Sequence, residues 1–390
     1  MLTQTTERRA GGFIPSALNF PRRIIPPFAG PTMSDSDSAG SFSFGRVLML
    51  VVPLALIGWA AKMYSGNLEN SAQAHLERTM ASRLLADVTS SDNLSQKFTD
   101  ADGNLVADLP KDEKDLLDPA EINFSYVASS DSEDDEATWK EFIAALSEKL
   151  GKPVNLVTYT DVGEQMRALQ SGELHVTAFA TGETPEAVNE AGFVPAACFA
   201  DADGNFSYTM KIIVPAGSEI KTVDDIKGKR MTFVRPRSNS GCTAALVMLM
   251  KEHDLQPERD YRWGWSFGHE KSIKGIAEKE FMAAAVASDI LARMIANGDI
   301  AESDVSVIYE SKPYPPGVVG YAYNLKPELS DAIVETLTSF DWKGTGLEAG
   351  PGKSGSVKFA PVDYRKDWEP VREINKTGGE LFTKLAGPAA

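Results

Sequence analysis

The segment 230–250 restricts this chain more than any other stretch. Arg230-Met231-Thr232-Phe233-Val234 reads as a short buried strand, and 244–250 is an unbroken run of strong helix formers without Gly or Pro. Between them lies Arg235-Pro236-Arg237-Ser238-Asn239-Ser240-Gly241-Cys242-Thr243, so a helix begins at or just after Ser238. The first N–H groups of a helix lack intrahelical partners and its dipole is positive there. Hydroxyl and amide side chains at such a start either cap the helix or turn toward an anion. Gly241 lets a ligand approach the backbone closely. Taken alone, the stretch leaves an ordinary N-cap and an anion site both open.

Similar units precede and follow it. Strands are expected at 122–127, 154–159 and 174–180, with helices at 139–150 and 162–170. The third strand runs into Thr181-Gly182-Glu183-Thr184-Pro185, a second strand-to-helix junction with hydroxyls and a Gly. Such alternation predicts a mostly parallel α/β sheet whose ligands gather at the carboxyl ends of strands. A strand at 207–214 carries the chain to a new unit, with a short helix at 222–229, strands at 263–267, 282–286 and 305–309, and helices at 271–277 and after Ser288-Asp289. Pro313-Tyr314-Pro315-Pro316-Gly317 reads as a stiff crossover back to a strand at 318–323 and a helix at 327–340. Residues 341–360 read as a Gly-rich loop, and a final helix spans about 368–385. Two crossovers, near 210 and 315, predict two lobes with a hinge and a cleft: 121–212 plus 318–390 as lobe 1, and 213–317 as lobe 2.

The chain ahead of the lobes is of another kind. Residues 1–45, rich in Gly, Pro, Ser and Arg, read as a disordered tail in which Met33 is a second possible start. Residues 47–61 carry no charge and lie between Arg46 and Lys62, which leaves a secretory segment and a membrane anchor both open over 46–64. A retained anchor with the lobes outside the cytoplasm is the expectation. Leu68, Ala72, Leu76, Met80, Leu84 and Val88 form a helical stripe, so 65–120 reads as a stalk helix and linker.

Charge and composition exclude other functions. The formal net charge of -16 leaves no basic stripe for nucleic acid, although it hardly touches a small-anion site built from helix starts. Two cysteines, and four histidines without ligand spacing, argue against a metal site, and no cofactor is expected. Asp100-Ala101-Asp102-Gly103-Asn104 and Asp201-Ala202-Asp203-Gly204-Asn205 resemble parts of a calcium loop but lack its remaining ligands, so each reads as a turn. Gly350-Pro351-Gly352-Lys353-Ser354 resembles the end of a phosphate-binding P-loop, but Leu347 stands where that motif needs its first Gly. A Cys-dependent hydrolase using Cys242 with His269 and Asp289 is the competing enzymatic reading, and no catalysis is the expectation.

Asp224-Asp225-Ile226-Lys227-Gly228-Lys229, the strand ending at Val234, Ser238-Asn239-Ser240-Gly241, Gly268-His269-Glu270 and Ser288-Asp289-Ile290-Leu291 together resemble the phosphonate-binding solute-binding proteins of ABC transporters. The resemblance runs over 122–340 and is strongest over 222–325. It implies a type II periplasmic binding fold that closes two lobes over a phosphonate, phosphite or phosphate-like oxyanion and delivers it to an ABC transporter permease. The ligand set implied is Ser238, Asn239 (where the family has Thr), Ser240 and Gly241, with Thr181, Gly182 and Thr184 from the first lobe and His269 and Asp289 on the far side. The family's aromatic falls at Val162, and Tyr159 or Tyr126 stands in for it. His175 and Met282 replace two acidic residues of the family. The protein is expected to be a monomer on the periplasmic side of a bacterial inner membrane, anchored there or exported. A membrane-tethered sensor of the same ligand, signalling through a second protein, is the alternative.

Overall fold

The computed structural model describes residues 62, 93–127 and 135–386. Apart from Lys62, the expected tail, anchor and stalk helix lie outside them, and among the described residues no helix is long and apolar enough to cross a membrane. Residues 93–120 run without strands or α-helices, with one 3-10 turn at Glu113–Asp115.

Short apolar strands alternating with amphipathic helices build the first sheet from β1 (Ile122–Ser125), β2 (Val154–Leu156) and β3 (Val176–Phe179), with β1 parallel to both of the others. Helix α1 (Asp135–Leu150) leads to β2 and α2 (Val162–Ser171) to β3. The limits of α2 follow from its chemistry. Asp161 caps it by accepting from the Glu164 N–H at 2.9 Å, and Gly172 ends it in the left-handed conformation at φ 78°. Beyond β3 come α3 (Thr184–Ala191) and β4 (Phe193–Ala200).

Next, β5 (Tyr208–Pro215) takes the chain into a second sheet, followed by β6 (Arg230–Phe233), α4 (Ala244–Glu252), β7 (Arg262–Trp265), α5 (His269–Ala277), β8 (Ala283–Ala287), α6 (Ser288–Asn297) and β9 (Val305–Tyr314). Its strand order is β7-β6-β8-β5-β9, with β6 parallel to β7 and β8, and β5 antiparallel to β8 and β9. The return strand β10 (Val318–Ala322) inserts between β3 and β4, antiparallel to both. Helices α7 (Pro327–Ser339) and α8 (Gly346–Ala349), strand β11 (Lys358–Pro361), and helices α9 (Tyr364–Asp367) and α10 (Glu369–Ala386) complete the chain. The first sheet thus reads β11-β4-β10-β3-β1-β2. Two sheets exchanged by two crossings form a two-lobed, mixed α/β periplasmic-binding fold.

Several limits differ from those expected. Strand β9 continues through Pro313 and Tyr314, which pair with Thr209 and Tyr208, so the crossover shrinks to 315–317. The Gly-rich span 341–360 contains α8, a 3-10 turn at Pro351–Ser354 and most of the edge strand β11. The terminal helix is interrupted at Trp368, whose indole N–H donates to the Thr181 carbonyl at 3.1 Å. Strand β4 had no counterpart in the pattern because Pro195 interrupts it. Its pairing with β10 absorbs the proline by a register shift between Val319 and Gly320.

Aromatic packing holds the first lobe: fully buried Trp139 lies 4.9 Å from Phe124 and 5.6 Å from Phe142, ring centre to centre, and Phe199 and Phe359 stack on it. In the second lobe, the Ala and Val side chains of β8 are all buried beneath helices, where small residues let helix and sheet approach closely. Helix α10 reaches out of the first lobe to pack on α4, so the lobes are joined by more than their crossing strands.

Candidate functional site

The helix start after β6 is built by one capped turn. Ser238 is the N-cap and its Oγ accepts from the Gly241 N–H at 3.1 Å, while residues Asn239–Thr243 wind as a π-type turn before α4 begins. The turn folds back on its strand, because the Val234 N–H donates to the Gly241 carbonyl at 2.8 Å. Gly241 is required by that approach: a Cβ there would lie 2.5 Å from Val234 Cβ. Asn239 and Ser240 lie in the first turn, where no preceding helical carbonyl receives their N–H groups.

Opposite stands the start of α3. Gly182 meets the turn so closely that a Cβ would lie 2.3 Å from the Arg237 carbonyl oxygen and 3.0 Å from the Asn239 nitrogen. Ion pairs flank the junction, Arg235 to Glu183 at 3.1 Å and Arg237 to Glu186 at 2.7 Å. Two helix starts, each positive by its dipole, therefore face one another across the lobes.

Between them opens a cleft of about 720 Å³ lined by Thr181, Gly182, Ser238, Asn239, Ser240, His269 and Asp289. Buried Tyr208, at the first position of β5, gathers the polar side chains at its floor. Its hydroxyl accepts from Asn239 Nδ2 at 3.2 Å, and burial pushes its pKa up. Thr181 Oγ1 also donates to the Pro315 carbonyl at 2.9 Å, tying the site to the crossover.

His269 has a defined tautomer. Its Nδ1 accepts from the Ala287 N–H at 3.1 Å, so the proton sits on Nε2, which lies 3.4 Å from Ser238 Oγ. Burial, helped by Arg235, lowers its pKa to about 4, so the ring is a neutral donor near pH 7. Asp289, in the first turn of α6, has its pKa raised by burial. Arg235, Lys271, Lys274 and Arg293 line the cleft beside Glu270 and Asp289, with Arg235 paired to Glu183 and Arg293 to Glu270.

Two expected residues stand apart. Tyr159 does not line the cleft, whereas Tyr126, at the end of β1, does. Thr184 is fully buried and its hydroxyl donates to the Ala180 carbonyl at 3.0 Å, which makes it a helix-start contact. His175 holds the sheet, with Nδ1 accepting from the Asn123 N–H at 2.9 Å. Sequence reasoning missed Tyr208, Phe267, Lys271, Lys274 and Arg293. Only the strand-opening position of Tyr208 hinted at a place near the crossing. The geometry does not favour the hydrolase reading. Cys242 is fully buried, its thiol is pushed up to about 12 by burial, and the His269 bonds run to Ala287 and Ser238. The carboxylates of the Asp100 and Asp201 segments accept N–H groups of their own turns.

A hinged pair of sheets with a polar cleft at two facing helix starts has the form of an anion-accepting solute-binding protein. The family described as "ABC transporter, phosphonate, periplasmic substrate-binding protein" matches residues 124–368. The phosphonates-binding periplasmic protein of Escherichia coli (strain K12) is 22% identical over 268 residues, which is 66% of this chain and 75% of that protein. The binding-protein component of an ABC phosphonate transporter from Pseudomonas aeruginosa shares the fold at a TM-score of 0.59 and 17% identity, covering 70% of this chain and 91% of that one. PhnD1 from Prochlorococcus marinus, solved in complex with methylphosphonate, does so at 0.56 and 14%, covering 66% and 97%. This chain belongs to the periplasmic substrate-binding proteins of phosphonate ABC transporters.

Proposed function

We propose that the cleft captures one phosphonate-type oxyanion between the facing helix starts and that the closed protein presents it to the permease of an ABC importer. The head group sits among Ser238, Asn239, Ser240 and Gly241 on one side and Thr181 and Gly182 on the other. A tetrahedral oxyanion offers many acceptor positions, and hydroxyl and backbone donors meet them with charge-assisted hydrogen bonds. His269 adds a neutral Nε2–H donor, and Asp289 faces the substituent on phosphorus, where a carboxylate suits an ammonium group. Thr184 supports the α3 start from behind, and Tyr126 takes the aromatic position in place of Tyr159. The lobe that closes is the unit bounded by β5 and β9. The segment 46–64 tethers a monomer to the periplasmic face of the membrane.

The observation that carries this reading is the approach of Gly182 to Arg237 and Asn239, which brings two positive helix ends together with donors from both. It is tested by calorimetric titration of the full-length chain carrying Ser238→Ala and Ser240→Ala together. Loss of the Ser238 cap lowers stability by about 1 kcal/mol, so the fold survives and is checked by circular dichroism. Methylphosphonate affinity is expected to fall at least a hundredfold, and an unchanged affinity would refute the assignment of this helix start.

A further inference from the structure

The cleft does not end at Asp289. Tyr126, Tyr208, Asp289, Ile290, Arg293 and Pro316 also line a second chamber of about 750 Å³, so these residues form a neck between two spaces. Its outer wall is the segment resembling the end of a P-loop: the turn Pro351–Ser354, carried by the first lobe, packs across onto α6 of the second. The chamber therefore exists only while the lobes face one another.

Its chemistry differs from that of the oxyanion end. Tyr126 and Phe199, backed by fully buried Trp139, provide an aromatic wall. Ser207, Asn297, Lys353, Ser354 and Ser356 also line it, with no side-chain hydrogen bond or ion pair among the described residues, beside Asp201 and Asn205, which bond each other. Aromatic faces beside unengaged hydroxyl, amide and ammonium groups suit a carbon skeleton bearing hydroxyls. Each space alone is of the size that takes a ligand far larger than methylphosphonate.

Resting on the oxyanion site proposed above, we propose that the ligand is an organophosphonate or organophosphate whose hydroxylated tail passes Asp289 and fills this second chamber. Phosphorus then sits at the helix starts and the tail oxygens meet Asn297 and Lys353.

Titration of the full-length chain with methylphosphonate and with ribose 5-phosphate tests this. Ribose 5-phosphate is expected to bind at least tenfold more tightly, and combining Asn297→Ala with Lys353→Ala, both exposed positions, should remove that gain while leaving methylphosphonate affinity within about twofold. Binding of ribose 5-phosphate alone also supports the proposal. Tight methylphosphonate binding with ribose 5-phosphate no tighter, or a gain that survives both substitutions, overturns it and leaves the oxyanion site standing. Silence toward both overturns the oxyanion site and this proposal with it.

Discussion

Gly182 and Arg237, from different lobes, stand so close that a single methyl group on Gly182 would lie 2.3 Å from the Arg237 carbonyl oxygen. The obstacle is backbone, which cannot swing aside as a side chain does. Closure of the cleft is thus written into the absence of one side chain.

Gly182→Ala is predicted to hold the two helix starts apart without unfolding either lobe. Methylphosphonate affinity should drop at least tenfold, which is about 1.4 kcal/mol or more, while the far-ultraviolet spectrum and melting temperature stay close to those of the parent. Parent-like affinity measured by calorimetry would mean that this approach is not needed for binding.

His269 makes stability depend on pH. Its folded pKa of about 4 lies below the usual 6.5, so the unfolded chain binds more protons between those values and stability falls as pH drops through that window. The full loss from this group is of order 3 kcal/mol. Asp289, raised by burial, opposes it, because its protonated folded form gains stability as pH falls toward 3.8. Denaturant titrations of the parent and of His269→Asn at pH 7 and pH 4.5 separate the two, and the parent should lose more stability on acidification than the variant. Equal losses would contradict the neutral, buried imidazole.

Cys198 and Cys242 are both fully buried, and burial pushes both thiols up, so neither should react with an aromatic disulfide reagent at pH 8 in the folded protein. Both should react at once in denaturant. Rapid labelling of Cys242 in the native state would reopen a nucleophilic role.

The Arg235–Glu183 pair joins the lobes with one partner half-exposed and the other buried. Glu183→Gln should loosen the closed state and weaken methylphosphonate binding by about three- to fivefold, roughly the upper value of one partly exposed ion pair. A parallel titration at high salt should narrow the difference between parent and variant.

Much of this arrangement is legible in the chain, for identifiable reasons. Strand β6, the capped turn at Ser238 and α4 follow one another without a gap, so each local signal marks the next. Where contacts depend on topology the signal fades. Nothing local separates Tyr126 from Tyr159, because which of them faces the cleft depends on where β1 and β2 lie in the sheet, centre or edge. Tyr208 meets Asn239 only because two crossings bring β5 beneath the α4 start. Pro195 in β4 and the glycines before β11 break the alternation by which strands are recognised, although the neighbouring strands tolerate both.

The central claim is tested most directly by calorimetric titration of the full-length chain, freed of carried ligand by unfolding and refolding, against methylphosphonate, aminoethylphosphonate, phosphite, phosphate and sulfate. One site per chain, with at least one phosphorus oxyanion bound at micromolar affinity or tighter, is the predicted result. Absence of binding to every phosphorus oxyanion, or equal binding of sulfate, would contradict the account.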